Sequence, residues 1–231
     1  MIKVCVFDMD GLLLDSERYI YLRLGRQVST ELGSPVDEAY LRSMMGNDWG
    51  LYKKYVAEFM GESFPIEEYM RILNERIADA IENDVIPLRP GAIEVLDYCR
   101  KNHILMAIAT STHRKQAHKS LHNTGLFDYF DYIITGDEVE HGKPDPEIFL
   151  KAIAHFGVDK SEAIVLEDGH NGSAAARAGG CRLIVVEDLA YISDEDRAYA
   201  DLHTYQLSDV IGFLEKENET AAGVQTASVV S

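Results

Sequence analysis

The feature that most constrains the fold is a set of short, almost continuously apolar runs separated by longer helical patterns. Five such runs occupy residues 2–7, 104–109, 132–134, 163–166 and 183–186. Strands without polar alternation are typical of a parallel sheet that helices cover on both faces. Helical periodicity fills 91–102, 113–123, 146–156 and 172–179 between the runs. Because strands and helices alternate, the sequence predicts an α/β fold with a doubly wound, Rossmann-like parallel sheet.

One long segment, residues 15–82, interrupts this alternation. Its helix-type stretches cover 16–32, 36–45, 50–60 and 66–82, and it contains no convincing strand. Gly11 precedes the departure from the sheet, and Pro87, Pro90 and Gly91 mark the return. We therefore predict an inserted α-helical cap over 15–82, a core formed by 1–14 and 83–217, and a disordered tail over 218–231.

The charge of the chain is strongly negative, because 22 Lys and Arg residues oppose 39 Asp and Glu residues for a formal net charge of -17. This charge would repel nucleic acid and an anionic membrane surface, so we expect neither as a partner. The three cysteines lie in apolar or helical stretches, which predicts reduced core residues and no disulfide or zinc framework. The N-terminal apolar run meets Asp8 too early for a signal peptide, so we expect a cytoplasmic protein.

Several polar residues follow predicted strands, at the edge where ligands collect in open α/β sheets. Asp8 and Asp10 are one residue apart, and such close carboxylates repel each other unless a divalent cation binds them. Glu167 and Asp168 could supply further oxygen ligands. An Asx turn followed by a helix cap is the alternative for isolated aspartates. The number of carboxylates at one edge favours the metal site.

Three further residues could bind an anion at this edge. Thr110 and Ser111 precede a predicted helix, where a hydroxyl and backbone N–H groups can hold a phosphate oxygen, although such residues are often plain N-caps. Lys143 lies among prolines that stiffen the backbone, so its ammonium could neutralise phosphate or crowded carboxylates; a solvated surface lysine is the alternative. His118 and His122 lack the glutamate of a zinc-protease pattern, and we interpret them as surface or interface residues.

Together these residues resemble the haloacid dehalogenase-like superfamily of phosphohydrolases, within it the helical-cap group that includes β-phosphoglucomutase and sugar-phosphate phosphatases. Four motifs match in order, namely Asp8-Met9-Asp10-Gly11, Thr110, Gly142-Lys143-Pro144-Asp145-Pro146 and Glu167-Asp168. The resemblance implies that Asp8 attacks phosphorus while Asp10 acts as general acid and base. It implies that Thr110, Ser111 and Lys143 hold the phosphoryl group. It also implies Mg²⁺ bound by Asp8, the Asp10 carbonyl and Asp168, with Glu167 supporting.

The implied activity is hydrolysis of a small phosphorylated metabolite, of the sugar or nucleoside phosphate class, through an aspartyl-phosphate intermediate. This chemistry requires Asp8 to be ionised and Asp10 to be protonated when the substrate arrives. Dehalogenases of similar fold lack the second aspartate, so Asp10 favours phosphoryl chemistry. A non-enzymatic binding protein on the same scaffold is a further alternative. Such a protein could dispense with Asp8 or Asp10, and this chain retains both.

A β-phosphoglucomutase-like activity is the main alternative. The family's mutases carry an arginine shortly after the glycine of a cap loop, where this chain has Asn47-Asp48-Trp49 after Gly46. An acidic Asp48 would repel a second phosphate, which weakens the mutase alternative. We predict Asn47, Asp48, Trp49 and Arg114 as substrate contacts, and we expect a monomer or weak homo-oligomer.

Overall fold

The computed structural model describes residues 1–43, 49–83 and 86–228, and within these it is built on one parallel sheet. The strands are β1 (Val4–Phe7), β2 (Leu105–Ala109), β3 (Tyr132–Ile134), β4 (Ala163–Glu167), β5 (Arg182–Val186) and β6 (Leu202–Thr204). Their order across the sheet is β3-β2-β1-β4-β5-β6, so the direction of growth reverses at β1. This arrangement confirms the predicted doubly wound α/β fold.

Strand β1 shows why the strands are apolar without alternation. Cys5 and Phe7 belong to one buried apolar cluster, and Val4 and Val6 belong to another on the opposite face. All four side chains are 0% exposed. Burying an aliphatic or aromatic side chain contributes roughly 1.5–3 kcal/mol, and a polar residue on either face would lose that contribution. The continuous apolar run therefore follows from helices on both sides of the sheet.

A helical segment follows β1 before the sheet resumes. It comprises a π-helical stretch (Arg18–Gly25), α1 (Arg26–Glu31), α2 (Glu38–Ser43), α3 (Trp49–Met60) and α4 (Ile66–Asn83). The hydroxyls of Tyr52 and Tyr69 join α3 to α4 through a buried hydrogen bond of 2.6 Å. A Cβ at Gly25 would lie 2.9 Å from the Tyr69 hydroxyl, so glycine lets the first helical stretch approach this pair. The π-helical stretch is the main difference from the helices predicted here.

Two linkers connect this helical segment to the sheet: the first linker is residues 11–15 and the second linker is residues 86–90. They run side by side in opposite directions, with an antiparallel bridge between Leu14 and Leu88. Backbone hydrogen bonds join the Asp15 N–H to the Pro87 carbonyl at 2.7 Å and the Arg89 N–H to the Leu13 carbonyl at 2.8 Å. The chain therefore leaves the sheet and returns to it at adjacent points.

The apolar interior is continuous from the sheet into the helical segment. One buried cluster contains Phe7 of β1 together with Tyr52 of α3 and Leu73 of α4. Packing thus joins the two parts of the chain through buried side chains as well as through the linkers. The predicted division into a core (1–14 and 83–217) and a cap (15–82) stays a prediction.

The remaining helices cover the faces of the sheet. They are α5 (Ala92–Lys101), α6 (Arg114–Asn123), α7 (Glu147–His155), α8 (His170–Ala178), α9 (Asp194–Tyr199) and α10 (Asp209–Ser228). The first four of these match the predicted helices closely, whereas α9, α10 and β6 are additions to the prediction. Strand β6 has no continuous apolar run, since it contains His203, whose ring forms a hydrogen bond of 2.7 Å with Glu187. Among the residues that the structure describes, no helix has both the length and the apolar character to cross a membrane.

Helix α10 corrects the expectation of a disordered tail over 218–231. The segment is helical as far as Ser228, and the residues after it lie outside the described part of the chain. Intrahelical hydrogen bonds need no tertiary partner, and the pair Ala221-Ala222 has high helix propensity. The small and polar residues and the lack of periodicity in this segment did not exclude a helix.

Candidate active site

Asp8 and Asp10 lie at the carboxyl end of β1. The Asp8 N–H donates to the Leu166 carbonyl at 3.0 Å, which extends the pairing of β1 with β4 beyond Phe7. Gly11 then turns the chain with a φ of +83°, and a Cβ there would lie 2.1 Å from Asp168 Oδ2. Only glycine allows the chain to turn this close to Asp168. The turn therefore keeps the first linker next to the acidic end of β4.

The ammonium of Lys143 lies at the centre of the buried site. It donates to Asp8 Oδ1 at 2.5 Å, to Glu167 Oε1 at 2.7 Å and to the Ala109 carbonyl at 3.0 Å. An ammonium has three donors, and these three acceptors use all of them. Burial alone would lower the pKa of Lys143, but the negative charges of Asp8 and Glu167 raise it above its usual value. Lys143 is therefore positively charged in this site.

Glu167, the last residue of β4, is held at both carboxylate oxygens. Oε1 accepts from Lys143, and Oε2 accepts from the N–H groups of Asp168 at 3.0 Å and Gly169 at 3.2 Å. The first turn of α8 passes so close that a Cβ at Gly172 would lie 1.7 Å from Oε1. Because both oxygens are engaged, Glu167 is better placed to orient Lys143 than to coordinate a metal ion strongly.

Asp8, Glu167 and Asp168 form a buried acidic group that could hold a metal ion. Each offers one carboxylate oxygen, and these oxygens lie within 4.8 Å of one another. Hard oxygen ligands suit Mg²⁺. The three carboxylates outnumber the ammonium of Lys143, and the surplus negative charge is poorly solvated because all three residues are buried. A divalent cation would compensate this surplus, so the residues present fit the magnesium that the resemblance implies.

The ionisation of the aspartates reflects the same surplus of negative charge. Burial raises the pKa of Asp8 to about 8, although the charge of Lys143 limits the rise. Burial, followed by the charge of Glu17, raises the pKa of Asp168 well above its usual value. A nucleophilic carboxylate has to be ionised, and a divalent cation on these oxygens would lower both pKa values. The ionised Asp8 that the predicted chemistry requires thus depends on a cation at this site.

Asp10 faces the loop that follows β2. Its Oδ2 accepts a hydrogen bond of 2.7 Å from the Thr112 hydroxyl, and the Thr110 hydroxyl lies 3.5 Å away. Thr110 is buried, whereas Ser111 is exposed. The structure therefore places Asp10 beside Thr110, and the roles that the resemblance implies for them stay predictions. Thr112 is an additional neighbour that the sequence analysis did not select, although it is the third hydroxyl in the run after β2.

The predicted substrate contacts are residues other than the buried group of Asp8, Lys143, Glu167 and Asp168. The Arg114 guanidinium binds Glu138 at 2.8 Å, which links α6 to the loop after β3. Asn47 and Asp48 lie outside the described residues, and Trp49 is described only as the first residue of α3. These four predicted contacts stay predictions.

His118 and His122 pack against Phe127 on the surface of the sheet's helical layer. The His122 ring stacks on Phe127 with a centroid separation of 3.9 Å, and the His118 ring meets it edge-on at 5.2 Å. Both imidazoles thus contribute to aromatic packing within the chain, and their interpretation as surface or interface residues stays a prediction.

Comparison with known proteins gives matches along most of the chain. A family model described as haloacid dehalogenase-like hydrolase matches residues 5–186. Phosphorylated carbohydrates phosphatase from Thermotoga maritima is 30% identical over 185 residues, 79% of this chain and 83% of that protein. Hexitol phosphatase B from Escherichia coli is 29% identical over 213 residues, 90% of this chain and 94% of that protein. A crystal structure of β-phosphoglucomutase from Clostridium difficile has 25% identity and a TM-score of 0.68, covering 96% of this chain and 100% of that one.

Proposed function

The chain belongs to the haloacid dehalogenase-like hydrolase family, as its motifs predicted, and on this basis we propose that it is a magnesium-dependent phosphatase of small phosphomonoesters. One observation carries the proposal. Asp8 is buried against the ammonium of Lys143, and Asp10 lies beside it with its carboxylate on the Thr112 hydroxyl. The names of the relatives specify phosphatases of phosphorylated carbohydrates and of hexitols, which supports sugar phosphates as the substrate class.

In the proposed first step, Asp8 attacks phosphorus and forms an aspartyl phosphate while the bond from phosphorus to the leaving oxygen breaks. Lys143 holds the attacking carboxylate through its bond of 2.5 Å to Oδ1 and offsets part of the negative charge. Asp10 donates its proton to the leaving oxygen. The Thr110 hydroxyl and the Ser111 backbone N–H bind the phosphoryl oxygens.

In the proposed second step, a water molecule attacks phosphorus and the bond from phosphorus to Asp8 breaks. Asp10, now ionised, accepts the proton that the water loses. The Thr112 hydroxyl keeps the Asp10 carboxylate in one orientation through both proton transfers, since its hydrogen bond is 2.7 Å long. The products are inorganic phosphate and a free Asp8 carboxylate beside a protonated Asp10.

The metal-binding part of the proposal concerns the carboxylates at the ends of β1 and β4. Mg²⁺ would be held by Asp8, by Asp168 and by the backbone carbonyl of Asp10, with Glu167 in a supporting position. When bound, Mg²⁺ supplies positive charge to the transferring phosphoryl group. The spacing of the buried carboxylate oxygens, all within 4.8 Å of one another, supports this assignment.

Hydrolysis of p-nitrophenyl phosphate, followed by absorbance with and without Mg²⁺, tests the reaction. We expect Asp8→Asn to lower kcat by about a thousandfold or more, because an amide is a poor nucleophile. Asp194→Asn is the matched control and should keep the wild-type rate, since the Asp194 side chain is fully exposed on α9. A panel of sugar phosphates then identifies the substrate. Wild-type hydrolysis by Asp8→Asn would refute the proposal.

A phosphomutase is the second candidate, favoured by the likeness to β-phosphoglucomutase over the whole chain. The same Asp8 and Asp10 would transfer the phosphoryl group to a substrate hydroxyl instead of to water. β-Glucose 1-phosphate with a bisphosphate primer would then yield glucose 6-phosphate. Inorganic phosphate as the main product would reject this candidate and support the phosphatase.

A further inference from the structure

A single carboxylate, that of Asp188 at the carboxyl end of β5, binds both the start of the helical segment and the second linker. Asp188 follows β5 and accepts two hydrogen bonds from Arg18, at 2.6 Å and 2.7 Å. It also accepts a hydrogen bond from Arg89. Arg18 opens the helical segment, and Arg89 belongs to the second linker. One residue of the sheet's edge therefore binds the chain where it enters the helical segment and where it leaves.

The geometry of these contacts is that of a specific ion pair. Both terminal nitrogens of Arg18 bind the two carboxylate oxygens of Asp188, and such bidentate pairs fix direction as well as distance. The Arg89 side chain is only 9% exposed, so water weakens its attraction to Asp188 less than at an open surface. Arg18 donates in addition to Asp15 of the first linker at 2.9 Å. The cluster thus holds the linkers to each other and to the sheet.

The cluster lies at the rim of the candidate active site. Strand β5, which Asp188 follows, is adjacent to β4, whose end carries Glu167 and Asp168. Gly11, the first residue of the first linker, lies so close to Asp168 that a Cβ there would be 2.1 Å from Oδ2. The first linker, which Arg18 binds through Asp15, therefore borders the acidic group.

We propose that Asp188 is a positioning residue that fixes the orientation of the helical segment over Asp8 by binding Arg18 and Arg89 together. The inference rests on the proposed function, because this orientation affects catalysis only if the segment covers a phosphate ester at Asp8. Without the charge of Asp188, the backbone bonds between the linkers and the apolar packing of the segment remain, but the ion pairs that fix its angle are lost. Closure over a substrate then becomes one of several orientations.

A mixture of orientations has a defined kinetic consequence. When only a fraction of the protein has the binding-competent orientation, the apparent affinity falls by that fraction. The reacting groups themselves are unchanged, since Asp188 touches neither Asp8 nor Lys143 in the contacts described above. Loss of Asp188 should therefore raise KM more than it lowers kcat.

Steady-state kinetics test this split with the sugar phosphate or aryl phosphate that the wild type hydrolyses. We expect Asp188→Asn to raise KM about tenfold and to change kcat less than about twofold. Arg18→Met should also raise KM. This variant should fold, because the Arg18 side chain is 38% exposed. The double variant should resemble Asp188→Asn alone, because that variant has already lost the ion pair with Arg18. Asp194→Asn, which loses an exposed partner of Arg197, should behave as wild type. An unchanged KM in Asp188→Asn overturns the proposal.

A distance measurement tests the orientation without turnover. Spin labels at Glu58→Cys on α3 and Lys101→Cys on α5 report the separation of the helical segment from the sheet's helices, and the three native cysteines are buried. We expect a broader or shifted distance distribution when Asp188→Asn is added, and no change when Asp194→Asn is added. If the wild type hydrolyses no phosphate ester, the proposed function fails while this measurement still decides the positioning. An unchanged distribution in Asp188→Asn rejects it.

Discussion

Replacing Gly172 by alanine should disrupt the site through Glu167, although it adds only one methyl group. The new Cβ would lie 1.7 Å from Glu167 Oε1 and 2.0 Å from its carboxylate carbon. Nonbonded contacts need about 3.5 Å, so the carboxylate has to move by roughly 1.5 Å. Its hydrogen bond of 2.7 Å to Lys143 cannot survive that displacement. The damage therefore reaches the ammonium that holds Asp8.

The magnitude follows from three opposing contributions to the free energy of unfolding. Losing a hydrogen bond between charged groups costs about 1.5–3 kcal/mol. Overpacking a closed site costs about 1–3 kcal/mol. Alanine inside a helix gains about 1 kcal/mol over glycine, so the net loss is about 1.5–5 kcal/mol. Because Lys143 no longer fixes the nucleophile, we also expect kcat to fall by about tenfold or more.

Urea unfolding followed by circular dichroism measures the stability, and phosphate release measures kcat. Gly212→Ala is the matched control, because Gly212 also lies within a helix and no atom lies within 4 Å of the added Cβ. That variant should gain up to about 1 kcal/mol and keep its activity. If Gly172→Ala is as stable and as active as the wild type, the steric argument is wrong.

Three further perturbations address other parts of the molecule. Thr112→Val should lower kcat about tenfold, as a pH–rate profile would show, because Asp10 loses the hydroxyl that orients it at 2.7 Å. Mg²⁺ at about a hundred times its dissociation constant should stabilise the wild type by about 2.7 kcal/mol, which a thermal melt would record as a higher melting temperature. Asp168→Asn should abolish this stabilisation. The pKa of Glu187 is lowered, chiefly by its hydrogen bond with Arg197, from a value of 4.5. A carboxylate with a lowered pKa stabilises the fold fully above its unfolded value and loses this contribution as the pH falls through its lower folded value. By urea unfolding, Glu187→Gln should therefore be less stable than the wild type at about pH 7, and the difference should shrink as the pH falls below 4.5.

The sheet and its acidic edge could be predicted from the sequence because both follow from local patterns. Strand β1 is apolar throughout and is followed by Asp8, and strand β4 is apolar up to its last residue, Glu167. The rule that ligands collect at the carboxyl ends of parallel strands then places Asp8, Glu167 and Asp168 together. Lys143 was selected from its stiff surroundings and from the resemblance, and its hydrogen bonds to Asp8 and Glu167 agree with that selection.

Other features depend on contacts that no local pattern records. Arg18 and Asp188 are 170 residues apart in the chain, and they meet only because the linkers run beside the end of β5. Gly172 resembles an ordinary helix glycine until the position of Glu167 is known. Strand β6 is short and partly polar, and its pairing with β5 identifies it as a strand. In each case the deciding information is the spatial neighbour.

The meeting of the two linkers has a consequence for how such a chain can be altered. The second linker returns directly beside the first, and the Asp15 nitrogen and the Pro87 oxygen are joined by a hydrogen bond of 2.7 Å. The connectivity of the strands is thus independent of the length and shape of whatever is spliced between these positions. A replacement module would have to reproduce that junction and to cover the buried cluster that includes Phe7, Leu12 and Leu13. Substrate choice could then be exchanged as a cassette, while the chemistry at the strand ends is inherited unchanged.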